Sequence, residues 1–206
     1  MKNKLLFIIT FLGLLHTSTI LAQTGGTKEK KGKKGGGYDM MIGAQAGLND
    51  ESISGSNTWA SGGKIGFDLG GNIQFTKDKL AFEGDLLYHT AAYATSSNNV
   101  LNTSVTVNVT SLSIPLLVKY SFYKTYWAEI GPQYSSILSV SNNDKNYFKS
   151  SNMELVLGVQ KILNHHWSLG LRYGLGLSDL DSKYNNVYSD SWKTTSIKLY
   201  ASYRIM

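Results

Sequence analysis

Few residues of this 206-residue chain could do chemistry, and the first of them is a histidine. His89 ends a segment that alternates apolar and polar residues, and Ser96, Ser97 and Asp179 lie in polar stretches that could approach it. A serine, a histidine and an acid could together cleave or transfer the acyl chain of a lipid, but such a triad is recognised by geometry rather than by sequence spacing. A lipid-modifying enzyme therefore stays open as an alternative, while the absence of a catalytic motif predicts that the chain is not an enzyme.

Two other groups of residues could bind a metal ion. His165 and His166 are adjacent, and adjacent residues in a turn rarely hold an ion without further ligands. Asp179, Asp181 and Asp190 lack the spacing and the central glycine of an EF-hand loop. The chain has no cysteine, which removes disulfide bonds and cysteine-ligated metal sites. We expect neither a metal nor a cofactor.

The elements that carry these residues become visible when the chain is read in steps of two. From Tyr38 onward, eight segments alternate large apolar residues with polar or small ones, the pattern of a β-strand with two different faces. The segment 167–177, WSLGLRYGLGL, places leucines and aromatics on one face and Arg172 with small residues on the other. The predicted strands cover residues 38–48, 64–75, 80–89, 111–120, 126–134, 153–162, 167–177 and 195–206.

The connections between these segments alternate in length. Long polar stretches cover residues 49–63, 90–104, 139–151 and 178–191, and short links cover 76–79, 121–125 and 164–166. Transmembrane barrels have short periplasmic turns and longer extracellular loops. The pattern therefore predicts an all-β fold, an eight-stranded antiparallel up-and-down transmembrane β-barrel formed by residues 38–206.

The polar faces of the predicted strands carry equal numbers of acidic and basic residues. In a membrane barrel the apolar faces contact lipid, and eight strands enclose an interior just wide enough for side chains. Because an unpaired buried charge is costly, acids and bases inside should pair. We predict an interior ion-pair network centred on Arg172, with Glu83, Asp85, Glu129 and Glu154 as candidate partners. Its ten predicted members are Lys64, Asp68, Glu83, Asp85, Lys119, Glu129, Glu154, Arg172, Lys198 and Arg204.

Aromatic residues concentrate at the ends of the predicted strands, as expected for the two interfacial belts of a membrane barrel. The predicted belt beside the short turns contains Tyr38, Phe75, Tyr120, Phe122, Tyr126, Trp127, Trp167 and Tyr203. The predicted belt beside the long loops contains Trp59, Tyr88, Tyr93, Tyr134 and Trp192.

The N-terminal residues are expected to lie outside the barrel. Lys2 and Lys4, the apolar run 5–15 and a small residue at Ala22 predict a signal peptide over residues 1–22. Residues 23–37, rich in glycine and lysine, predict a flexible periplasmic tail. The net charge of +6 comes entirely from these two regions, so the predicted barrel is neutral. We therefore expect export to the bacterial outer membrane and no nucleic-acid partner.

Two segments resemble a known family. Residues 112–138, LSIPLLVKYSFYKTYWAEIGPQYSSIL, resemble the central signature of PorT-like outer-membrane β-barrel proteins, in which an IPLL.KY strand precedes a short aromatic turn and a strand containing GP. Residues 169–180 are similar to the penultimate strand of that family. The resemblance implies an eight-stranded outer-membrane protein, and the namesake of the family is associated with protein secretion across that membrane. The chain departs from such barrels at its end, where Met206 stands in place of an aromatic residue and Tyr203 is the nearest substitute.

Together these patterns predict a non-catalytic outer-membrane protein with a filled polar interior. We expect an envelope scaffold, or an accessory to secretion or surface interaction, acting through the long loops. Its expected partners are outer-membrane lipid and envelope or secretion proteins. A soluble lipocalin-like barrel that binds a small ligand in an apolar cup stays open as a second alternative.

Overall fold

Eight antiparallel β-strands make up nearly all of the described chain. A computed structural model describes residues 38–54, 60–95, 106–141, 149–180 and 193–205, so the predicted signal peptide (1–22) and tail (23–37) lie outside the described residues. In the part that is described, no helix is long and apolar enough to cross a membrane. The strands are β1 (Asp39–Ser54), β2 (Ala60–Lys77), β3 (Leu80–Thr95), β4 (Thr106–Tyr123), β5 (Tyr126–Val140), β6 (Ser151–Ile162), β7 (Trp167–Gly176) and β8 (Lys193–Arg204).

The strands close into a barrel in sequence order. Each strand pairs with the next, and β8 returns to β1 through a register that runs from Gly43↔Arg204 to Ser54↔Lys193. Two of the tight turns need a positive φ at one residue, 55° at Asp78 and 32° at Lys124. The fold predicted from the alternation of faces and of loop lengths is confirmed.

Large apolar side chains cover the outside of the barrel. Leu69 and Leu116 are each 58% exposed and Phe82 is 52% exposed, whereas the residues between such positions point inward and are mostly polar and buried. This distribution is the reverse of a soluble barrel with an apolar cup. The lipocalin-like alternative is therefore wrong.

Several strands are longer at the long-loop end than predicted, because the pattern of their two faces inverts there. On β4, Leu112 points outward, but beyond it Thr110 and Asn108 take the outward positions while Val109 and Val107 are buried inside. Beyond the apolar band the outer face of the barrel contacts water and no longer lipid. Polar residues are then favourable on the outer face, and apolar residues are favourable inside. The inversion marks where the barrel extends beyond the apolar band. It explains why residues 90–95 were assigned to a loop from the sequence and why residues 106–110 were left outside the predicted strand.

Most of the described residues of the two predicted aromatic belts lie on the outer face of the barrel, and two do not. Trp167, Tyr203, Phe75 and other predicted members are exposed on the outer face. Trp127 and Tyr93, however, are 8% and 3% exposed and point inward, because each occupies the inward-facing phase of its strand. Proximity to a strand end suggested a belt position, but the phase of the alternation decides the face. Trp59 and Trp192 lie outside the described residues.

Candidate functional site in the barrel interior

Arg172 on β7 lies at the centre of a fully buried group of charges, here called the arginine cluster. Its Nε donates to Glu129 Oε2 at 2.8 Å, Nη1 to Asp85 Oδ2 at 2.6 Å and Nη2 to Glu83 Oε1 at 2.8 Å. Charge-assisted hydrogen bonds of this kind are roughly twice as strong as neutral ones. Three of the four predicted partners of Arg172 thus surround it, whereas Glu154 lies in another part of the interior.

Lys119 on β4 and Tyr200 on β8 complete the arginine cluster. The Lys119 ammonium donates to Glu83 Oε2 at 2.6 Å and to Gln160 Oε1 at 3.0 Å, and it lies 3.6 Å from Glu129 Oε1. The Tyr200 hydroxyl donates to Glu129, and its ring lies under the guanidinium with Cζ 4.2 Å from the ring centroid. The cluster therefore joins side chains from five strands across the interior.

Two glycines provide the space that this cluster occupies. A Cβ built on Gly170 would overlap the Tyr200 ring, and one on Gly158 would come 3.0 Å from Arg172 Cγ. Glycine within a strand commonly marks a close approach by a neighbour. Gly170 of the WSLGLRYGLGL segment is therefore a position where a larger residue from the adjacent strand fills the interior.

A second buried group, the histidine cluster, lies nearer the long-loop end. His89 Nδ1 is 2.6 Å from Asp68 Oδ1, and His89 Nε2 is 3.1 Å from Glu51 Oε2. Tyr93 donates to Glu51 Oε1 at 2.5 Å, and Asn49 donates to Asp68 Oδ2 at 3.2 Å. Of the acids in this cluster, Asp68 was predicted from the sequence to lie in the interior, whereas Glu51 was missed because it falls in a stretch that was assigned to a loop.

The geometry of the histidine cluster is unlike that of a catalytic triad. An imidazole placed between two carboxylates bonds to both of them only when each ring nitrogen donates a hydrogen. Neither nitrogen of His89 is then free to accept a proton from a nucleophile, as a general base must. Asp179 is not among its partners, and Ser96 and Ser97 lie outside the described residues.

Glu154 and Lys198 also lie in the interior, but neither forms a direct salt bridge with the described residues. Their hydrogen-bond partners are amide and hydroxyl groups. Gln133 donates to Glu154 Oε2 at 3.0 Å, and Thr194 donates to Glu154 Oε1 at 3.0 Å. The Lys198 ammonium donates to Gln133 Oε1 at 3.2 Å. Both residues are almost fully buried, so Gln133 connects the carboxylate to the ammonium through its amide.

Lys64 and Arg204 are not part of the interior network, which corrects two members of the predicted set. The pairing of β2 with β3 shifts register between Lys64 and Asp68, and the exposed Lys64 ammonium donates to Thr106 Oγ1 at 2.6 Å. Arg204 ends β8 at the short-turn end and makes no salt bridge with the described residues. A bulge and a strand end thus remove two positions whose sequence phase alone placed them inside.

The charges inside the described barrel are also not equal in number. All five predicted acids are buried, and Glu51 makes a sixth, whereas Lys119, Arg172 and Lys198 are the buried interior bases, joined by His89. In the described residues, no cluster of three or more acids and histidines is arranged to hold a metal ion. The excess of carboxylates is instead stabilised by amides and hydroxyls, as at Glu154.

An apolar cluster lies inside the barrel above the histidine cluster, at the long-loop end. It consists of Ile53, Ala91, Tyr93, Val107, Val109, Ile137 and Leu180. Leu180 comes from the connection after β7 and is 3% exposed, and its carbonyl accepts from the backbone N–H of Lys149 at 2.9 Å. A small cavity of about 20 Å³ is lined by residues of this cluster together with Glu51, His89 and Glu154.

Comparisons with known proteins agree with the architecture. A family model described as outer membrane protein beta-barrel domain matches residues 32–182. Comparison with curated protein sequences gives no significant match.

Similar solved structures include an attachment invasion locus protein, a surface protein and an outer-membrane protein. The attachment invasion locus protein Ail of Yersinia pestis, solved with the heparin analogue sucrose octasulfate, is 13% identical over 81% of this chain and 99% of its own, with a TM-score of 0.49. Neisserial surface protein A is 11% identical over 79% and 96%, with a TM-score of 0.48. Outer membrane protein W of E. coli is 13% identical over 82% and 98%, with a TM-score of 0.38.

Proposed function

Because the chain belongs to the outer membrane protein beta-barrel domain family, and so lies in the bacterial outer membrane, we propose that it is a non-catalytic barrel closed to diffusion. Short turns of such barrels lie on the periplasmic side, so the short-turn end is periplasmic and the long-loop end extracellular. The observation that carries the proposal is the arginine cluster, whose side chains meet across the whole width of the interior.

Two successive barriers support a closed interior. The arginine cluster fills one level with side chains that are each 4% exposed or less, and the apolar cluster fills a higher level. An ion that crossed the first level would have to displace Arg172 from three carboxylates, and at the second level it would meet mainly apolar side chains. Eight-stranded barrels commonly leave no more interior space than side chains fill.

Conductance across a planar bilayer tests closure directly. We expect the folded wild-type protein to produce no steady single-channel current, because the arginine cluster blocks the cross-section. The Leu180→Gly variant, which loosens the apolar cluster alone, should also stay silent, with its fold verified by a mobility difference between boiled and unboiled samples. A reproducible conductance step from the wild-type protein would overturn the proposal.

For the biological role, we propose that the protein is an accessory to secretion or surface interaction and acts through its long loops. The other role that we propose is that of a passive envelope scaffold. The resemblance of residues 112–138 to PorT-like proteins favours the secretion role. A rigid filled barrel is suited to holding loops in place, since binding residues are often found in loops on a stable scaffold.

The secretion role is tested by genetic complementation. A strain that lacks the protein should lose exported proteins from its culture medium, and the wild-type chain should restore them. A variant with residues 142–148 and 181–190 replaced by short Gly/Ser linkers should insert normally but fail to restore export. Unchanged export in the deletion strain would exclude the secretion role, and a normal resistance of that strain to detergent and antibiotics would exclude the scaffold role.

The lipid-modifying alternative has no observation in its favour, because both nitrogens of His89 face carboxylates. It predicts hydrolysis or transfer of phospholipid acyl chains by the purified protein, abolished by His89→Gln. We expect no such activity from the wild-type protein in mixed micelles.

A further inference from the structure

The outer face of the barrel differs chemically at the two edges of its apolar band. At the periplasmic edge, the outward position beyond Phe75 on β2 is Lys77, and the turn that follows adds Lys79. The next periplasmic turn, between β4 and β5, adds Lys124. At the extracellular edge, the described positions that follow the apolar band on six of the strands are hydroxyl-bearing or acidic, and the exposed lysines Lys64 and Lys193 lie further out, near the ends of β2 and β8. The six positions are Asp50, Thr90, Thr110, Ser136, Ser151 and Thr195.

Two of the periplasmic lysines lie over aromatic rings. The Lys77 ammonium lies 5.4 Å from the centroid of the Tyr38 ring, and the Lys124 ammonium lies 5.7 Å from that of Tyr123. Amphipathic rings of membrane proteins settle at the level of the lipid headgroups. Cations that lie over such rings are therefore at the level of the phosphates of the inner leaflet.

The two lysine-bearing turns are also neighbours. The backbone N–H of Ser121 donates to the carbonyl of Lys79 at 2.8 Å, which joins the β2–β3 turn to the end of β4. Tyr123 contacts Tyr126 with ring centroids 6.2 Å apart, and the Lys161 ammonium lies 5.3 Å from the Tyr126 centroid. Lys77, Lys79 and Lys124 are exposed, whereas Lys161 is almost fully covered. We call Lys77, Lys79, Lys124 and the rings of Tyr38 and Tyr123 the basic patch.

The acids near the basic patch do not cancel it. Asp78 lies at the tip of its turn between two of the lysines, and Asp39 lies on the inward-facing phase of β1, away from lipid. The patch thus presents three exposed ammonium groups against one carboxylate on the outer rim.

We propose that the basic patch binds the phosphate headgroup of an anionic phospholipid in the periplasmic leaflet of the outer membrane. A lysine near an anionic surface strengthens association by roughly fivefold, and several lysines act together. Zwitterionic lipids carry an ammonium that would be repelled by the same groups, so the site discriminates between headgroups by charge.

Native mass spectrometry of the full-length mature protein, released from micelles that contain equal amounts of phosphatidylglycerol and phosphatidylethanolamine, tests the proposal. We expect the wild-type barrel to retain phosphatidylglycerol preferentially. The Lys77→Gln/Lys79→Gln/Lys124→Gln variant should bind phosphatidylglycerol with a preference reduced by about tenfold or more, because each lysine contributes up to about fivefold. The matched control, Lys64→Gln/Lys193→Gln at the extracellular end, should keep it.

The lysine-rich residues 28–34 are present in every sample, so their contribution is the same in all of them. Heat modifiability verifies that each variant is folded. A triple variant with an undiminished preference for phosphatidylglycerol, or a control variant that loses the preference equally, would overturn the assignment to this patch. A wild-type protein with no preference would overturn the proposal itself.

Discussion

Replacing Arg172 by methionine is the sharpest test of how the interior is stabilised. The methionine fills much of the volume of the arginine stem, so the change removes mainly the guanidinium and its three hydrogen bonds to Glu129, Asp85 and Glu83. Glu83 and Glu129 keep Lys119 as a neighbour, at 2.6 Å and 3.6 Å. Asp85 keeps no cation among the described residues.

The expected loss follows from the fate of the Asp85 carboxylate. Removing one partner of a buried ion pair costs about 3 to 5 kcal/mol, because the other charge is left uncompensated. We therefore expect Arg172→Met to lower the free energy of unfolding by about 4 kcal/mol.

The assay is urea unfolding of the barrel in lipid vesicles, followed by the loss of the fast-migrating folded band on a gel. The matched control is Arg204→Met, which makes the same substitution at a half-buried arginine without a described salt bridge and should change stability by less than about 1 kcal/mol. The double variant Arg172→Met/Asp85→Asn removes the stranded charge and should recover a substantial part of the loss.

Two results would refute the reasoning. If Arg172→Met were no less stable than Arg204→Met, the ion pairs of the arginine cluster would add nothing to stability. If Asp85→Asn failed to improve the Arg172→Met background, the loss would come from packing and not from an unpaired carboxylate.

Two further substitutions test other parts of the interior. His89→Leu leaves Glu51 and Asp68 without their shared donor and should lower the free energy of unfolding by about 3 kcal/mol or more, whereas His89→Gln, which can still donate, should lose less in the same urea assay; equal losses would argue against the two hydrogen bonds. Gly170→Val places methyl groups where the Tyr200 ring lies and should reduce the folded fraction on a heat-modifiability gel. Combining it with Tyr200→Ser should restore folding, and a failure of that rescue would show that the glycine matters for its backbone rather than for space.

The strand framework was predictable because each piece of it leaves a local signature. Alternation of Leu169, Leu171 and Tyr173 with smaller or charged residues reports a two-faced strand within a single segment. Alternating connection lengths then fix the up-and-down order, and the apolar face that must meet lipid fixes which side is outward. Arg172 could be chosen as the centre of the network because it is the one arginine in the middle of a predicted strand.

The sequence predicted less well where the surroundings change along one strand. Val107, Val109 and Tyr93 keep the inward-facing phase of their strands. At their height the outside of the barrel meets water and no longer lipid, so apolar side chains are favourable inside. No local sequence pattern shows the height along the barrel at which the outer face leaves the lipid. For the same reason Glu51 looked like part of a loop, although it bonds to His89 inside the barrel.

By itself, the sequence determined the number of strands, their antiparallel order, the outward apolar face and the inward phase of all five acids that were predicted to lie inside. Only the tertiary structure decided which charges meet, because pairing depends on the stagger between strands that are far apart in sequence. The register brings Glu83, Asp85 and Glu129 to Arg172 and takes Glu154 to Gln133, while a shift between Lys64 and Asp68 carries Lys64 to the surface. Alternation fixes the side on which a residue lies, and barrel closure fixes its height and its neighbours.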